Sequence, residues 1–72
     1  MSVTESLSIK INGETRRVSA GATIAAMLGE LGLNPARVAV ERNLEIVPRS
    51  TLGEVQVRDG DAFEIVHFVG GG

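Results

Sequence analysis

Cysteine is absent from the sequence, which excludes disulfides, thiolate metal sites and thiol nucleophiles together. Aromatic residues are almost missing: Phe63 and Phe68 occur without Trp or Tyr. His67 is the single histidine, so a histidine pair for acid–base work or a His/Cys metal cluster has nothing to build on, and a structural or surface role is the expectation. The seven basic residues (Lys10, Arg16, Arg17, Arg37, Arg42, Arg49, Arg58) are scattered rather than gathered into a stripe. With a net charge of −2 and no stacking aromatics, nucleic acid is a poor partner. No apolar run approaches the roughly 20 residues of a membrane span, and Met1 to Ser6 lacks the basic and apolar regions of a signal peptide. A cytoplasmic protein without a membrane partner is expected. No phosphate-loop run is present either, and Gly13, Gly21, Gly32, Gly53 and Gly60 read as punctuation at turns and helix boundaries.

What remains is an ordinary globular composition, 43% hydrophobic and 22% charged, in 72 residues. A domain this short buries roughly 60% of the surface its unfolded chain exposes. That supports one small core and argues against paired catalytic lobes or an internal cofactor pocket.

Leu7, Ile9 and Ile11 alternate with polar residues, the pattern of a half-buried strand. Asn12-Gly13 follows, a two-residue hairpin signal because both turn positions need positive φ. Glu14 to Ser19 is the return strand, with Val18 its clearest core residue. Ile24, Met27, Leu28 and Leu31 then recur at the spacing of a helix's apolar face. Thr23 suits the N-cap and Gly32 the position just past the C-terminus. Gly29 weakens this helix by about 1 kcal/mol relative to Ala, so packing against a sheet must hold it. Pro35 closes the connection.

Arg37 to Glu41 reads as a third strand, Asn43-Leu44 as a turn, and Glu45 to Val47 as a short fourth strand placed at a sheet edge by Pro48. Thr51 to Gly53 suits a short irregular or 3₁₀ segment. Val55 and Val57 lead to a tight turn at Asp59-Gly60-Asp61, and the last strand runs from Ala62 to Val69. One helix on one face of a mixed four- or five-stranded sheet satisfies all these patterns, with the first and last strands adjacent at its centre. The expected class is α+β, a β-grasp arrangement over residues 1–69 followed by a flexible glycine tail, 70–72.

Three features bear on function. Glu54, Asp59, Asp61 and Glu64 concentrate acid around the last turn; without a calcium-loop spacing this reads as a solvated turn, against a metal or docking site. In the last strand Phe63 and Ile65 share one phase, and Val66 and Phe68 the other. If the first pair faces the helix, Val66, Phe68 and the adjoining Val69 form either an ordinary apolar side of a central strand or an exposed partner-binding patch. Finally, the sequence closes on Gly70, Gly71 and Gly72. A frayed terminus or cloning scar is one reading. The other is a thread: three residues without side chains extend the Gly72 carboxylate roughly 10 Å beyond the domain and fit a narrow channel in a partner's active site. On that reading the chain is a carrier and not an enzyme.

Val38-Ala39-Val40-Glu41-Arg42-Asn43, then Glu45-Ile46-Val47-Pro48-Arg49, Asp59-Gly60-Asp61 and the Phe68-Val69-Gly70-Gly71-Gly72 end together resemble the thiamine-pathway sulfur carrier proteins of the ubiquitin-like β-grasp superfamily. The resemblance covers nearly the whole chain; Leu44 departs from it, standing where a Gly after the turn Asn is implied. It implies that a ubiquitin-activating-type adenylyltransferase consumes ATP to adenylate the Gly72 carboxylate. A sulfur donor such as a desulfurase persulfide then displaces AMP to leave a C-terminal thiocarboxylate, and a thiazole synthase accepts the sulfur. Gly70 and Gly71 would thread into these partners, and no cofactor would be bound by the chain itself. The rival readings are the small subunit of molybdopterin synthase, a ubiquitin-like protein modifier, and a passive interaction module using the Val66/Phe68 face.

Overall fold

The computed structural model describes residues 5–68. It contains β1 (Ser6–Ile11), β2 (Glu14–Ser19), α1 (Ile24–Glu30), β3 (Val38–Arg42), β4 (Glu45–Ile46) and β5 (Ala62–His67), with 3₁₀ turns at Pro35–Arg37 and Arg49–Thr51. The strands form one five-stranded sheet in the order β2-β1-β5-β3-β4. β1 and β5 run parallel, and the other pairs are antiparallel. The mixed sheet with a single helix on one face, and the first and last strands side by side, are as the sequence pattern requires.

The opening hairpin turns on Asn12 and Gly13, both at positive φ (50° and 87°), the geometry that matches the right-handed twist of the flanking strands. The register Leu7↔Val18 and Ile9↔Arg16 puts Ile9, Ile11 and Val18 on the face beneath the helix. α1 is held at both ends by its own chain. Thr23 caps the N-terminus, its Oγ1 accepting from Ala26 N at 3.1 Å. Ile24 N and Ala25 N donate to the carbonyls of Val55 and Leu52, so the loop before β5 satisfies amides that the helix leaves unpaired. At the other end Gly32 N donates to Gly29 O and Leu33 N to Leu28 O. This is the Schellman arrangement, and it places Gly32 at φ 79°.

Ile24, Met27 and Leu28 are fully buried against Ile9, Ile11, Val38, Val40, Phe63 and Ile65, and Leu52 and Val57 close the core from the loop side. Some boundaries differ from the sequence reading. β3 begins at Val38 because Arg37 closes a 3₁₀ turn started by Pro35, with Asn34 as its cap. The second 3₁₀ turn lies at Arg49–Thr51, directly after Pro48, rather than at Thr51 to Gly53. β4 stops at Ile46 and β5 at His67. Among the described residues no helix is long and apolar enough to cross a membrane.

Candidate functional site

With Phe63 and Ile65 committed to the helix side, the alternation of β5 turns Ala62, Glu64, Val66 and Phe68 to the other face, where all four are exposed. Register extends that face across the sheet: Val66 lies opposite Ala39, Glu64 opposite Glu41, and Ile46 opposite Glu41 on its far side. Ile46 is 76% exposed, Val66 62% and Phe68 52%. The structure therefore places Val66 and Phe68 on an uncovered surface of the sheet. The other half of the same face, on β1 and β2, is polar: Ser8, Lys10, Thr15 and Arg17. Val69, Gly70, Gly71 and Gly72, the remaining sequence candidates, lie outside the described residues.

Side-chain hydrogen bonds fix β5 at both ends. The parallel ladder to β1 has main-chain links from Lys10 N to Asp61 O and Asn12 N to Phe63 O. Asp59 prolongs it at the start, its Oδ1 accepting from Ser8 N at 2.8 Å. Asn12 prolongs it at the far end, bonding both backbone polar groups of Ile65. On the β3 side Asn43 does the same for Ala62, accepting from its N at 3.0 Å and donating its own N to Ala62 O at 2.8 Å.

The acidic group around the last turn is therefore not a uniformly solvated one. Glu54, Asp59 and Glu64 are exposed, but Asp61 is only 6% exposed. It accepts from Arg58 N and Asn43 Nδ2, with Arg42 Nη1 at 3.9 Å. A buried carboxylate is tolerated because these donors and the guanidinium replace its water. Among the described residues no group of three or more His, Cys, Asp or Glu is placed to hold a metal ion. His67 is exposed, opposite Val38 at the end of β5.

Arg49 is a site residue that sequence reasoning did not assign. Its guanidinium carbon sits 5.0 Å from the centre of the Phe68 ring, within cation–π range. Its Nη2 donates to Val38 O at 3.1 Å. The side chain thus tethers the last described residue to the edge of β3. The opposition of Glu41 to Glu64 on the exposed side was likewise not assigned from the sequence, because it depends on the β3–β5 register. What this surface can do is present an apolar and acidic face beside the point where the chain leaves the sheet.

A family model described as the ThiS family matches residues 9–72. A thiazole synthase from Paramagnetospirillum magneticum is 58% identical over 66 residues, 92% of this chain. The chain spans only 20% of that protein's length. The sulfur carrier protein ThiS of Bacillus subtilis is 48% identical over 50 residues, 69% of this chain and 76% of that one. Among solved structures, a thiamine biosynthesis protein (ThiS) from Geobacter metallireducens superposes with a TM-score of 0.76 at 30% identity, covering 92% of this chain and all of its own.

Proposed function

The chain belongs to the ThiS family, sulfur carriers of thiamine biosynthesis with the ubiquitin-like β-grasp fold, and on that premise we propose that its chemistry takes place at the Gly72 carboxylate. An ionised carboxylate is a poor acyl electrophile. A ubiquitin-activating-type adenylyltransferase joins it to AMP at the expense of ATP, creating a good leaving group. The terminal sulfur of a desulfurase persulfide attacks the activated carbon and expels AMP. Cleavage of the remaining sulfur–sulfur bond by a thiol leaves a thiocarboxylate, which a thiazole synthase consumes. The chain is a co-substrate in this cycle, returned as the carboxylate, and acts in the cytoplasm. Gly70 and Gly71 thread into the partner sites because nothing projects from them.

The observation that carries this reading is the family match, which runs through residue 72 and so includes the glycine end. The thiazole synthase relatives support the acceptor, since a stretch like this chain forms part of those proteins. Family membership also favours the thiamine branch over the small subunit of molybdopterin synthase.

The proposal requires Gly72 to be the last residue of the working protein. Intact-mass analysis of freshly isolated protein should show an oxygen-to-sulfur increase confined to the last peptide. Deleting Gly72, or leaving a tag uncleaved behind it, should abolish sulfur delivery while the fold survives. Thiol-resistant high-mass conjugates would point instead to a protein modifier, and undiminished function without Gly71 and Gly72 to a passive interaction module.

A further inference from the structure

On the exposed face two like charges stand opposite each other. Glu41 and Glu64 are direct partners in the antiparallel β3–β5 register, where opposed side chains have Cβ atoms about 4.5–5.5 Å apart and like charges destabilise the sheet. Neither carboxylate forms an ion pair among the described residues. Ile46 flanks Glu41 on its other side, and the next row toward Phe68 is Ala39 opposite Val66. The ion pair among the described residues joins Arg42 to Asp61 instead. Arg49 is turned onto Phe68 and the Val38 carbonyl. Lys10, opposite Ala62 on β1, makes no ion pair with either glutamate.

Reach also constrains what can dock. Residues 69–72 span at most about 14 Å when fully extended. A partner that works on Gly72 must therefore hold its reacting centre within that distance of Phe68, and the Ile46/Val66/Phe68 surface adjoins that point. An apolar surface with two carboxylates outside any ion pair is complementary to a cation set among apolar groups.

We infer that this face is the docking surface for the sulfur-accepting thiazole synthase, and that the enzyme seats a lysine or arginine between Glu41 and Glu64 while its apolar side chains cover Ile46, Val66 and Phe68. The inference rests on the sulfur-carrier reading and adds the chemistry of recognition. Repulsion retained in the free domain becomes attraction in the complex, so the same pair weakens the fold and strengthens the association.

The thiazole synthase of the same organism, purified, is titrated with the wild-type chain and with the Glu41→Gln/Glu64→Gln double variant at low and high salt. Thermal melting is followed in parallel, and Glu14→Gln/Glu54→Gln serves as an equal change of net charge elsewhere. The double variant should bind at least about tenfold more weakly at low salt, lose most of the salt dependence, and melt no lower than wild type. The control pair should change little. Equal binding by the double variant, or equal weakening by the control, overturns the inference and leaves the sulfur chemistry at Gly72 intact. Failure of the wild-type chain to bind overturns it together with the choice of acceptor.

Discussion

Asn12 and Ile65, 53 positions apart, are joined by two hydrogen bonds: the Ile65 amide donates to Asn12 Oδ1 at 2.8 Å, and Asn12 Nδ2 donates to the Ile65 carbonyl at 3.1 Å. A side-chain amide here replaces the next residue of a strand, and it can do so because the hairpin turn holds Asn12 at φ 50°. Asn12→Asp keeps the acceptor but turns an oxygen toward the Ile65 carbonyl. The expected loss is about 1–3 kcal/mol, read as a lower urea midpoint with faster amide exchange at Ile65. An unchanged midpoint would show that the clip adds nothing.

Leu44 sits at φ 73° with 89% of its surface exposed. A left-handed conformation costs an L-residue roughly 1–2 kcal/mol, and so exposed a side chain regains little by packing. Leu44→Gly should raise stability by about 0.5–1 kcal/mol once glycine's greater unfolded-state freedom is subtracted. The check is a melting temperature several degrees higher; a lower one would mean the side chain stabilises the turn.

Gly29 lies on the exposed side of α1, and a Cβ built there meets nothing within 4 Å. Gly29→Ala should therefore add about 1 kcal/mol, worth roughly 4–8 °C in a domain of this size. Destabilisation would show that the helix needs the glycine for a reason its surroundings do not reveal.

The two phenylalanines should respond in opposite ways. Phe63 is 1% exposed, and Phe63→Ala should cost about 3–5 kcal/mol. Phe68 is half exposed and held by Arg49. Phe68→Asp should cost less than about 1 kcal/mol of stability yet strongly weaken binding to thiazole synthase. Calorimetry and a binding titration on both variants separate the roles, and a large loss of stability from Phe68→Asp would place that ring in the core.

Local chemistry made much of the architecture legible. Alternation at Leu7, Ile9 and Ile11, the Asn12-Gly13 turn and the 3.6-residue face of Ile24, Met27 and Leu28 are signals within a few residues of each other. The phase of β5 was also readable, but whether Val66 and Phe68 lie covered or exposed was left open by the sequence and is settled by their exposure in the fold.

What could not be read depends on partners far away in sequence. Asp59 and Asp61 look alike in the chain, but Asp61 is buried because Asn43, Arg42 and the Arg58 amide meet it there. Arg49 gains its position over Phe68 from the way β4 and Pro48 return the chain beside β3. The opposition of Glu41 and Glu64 requires the β3–β5 register, which no periodicity specifies.

The sheet order puts the last described strand in the middle, between the first strand and the third. During synthesis the hairpin, helix and third strand therefore emerge from the ribosome with their shared neighbour still missing, and Phe63 and Ile65 follow after all of them. No closed interior exists before then. An unfinished nascent chain consequently lacks the assembled Ile46/Val66/Phe68 face, and a partner that docks on the proposed surface would meet it only on a completed domain.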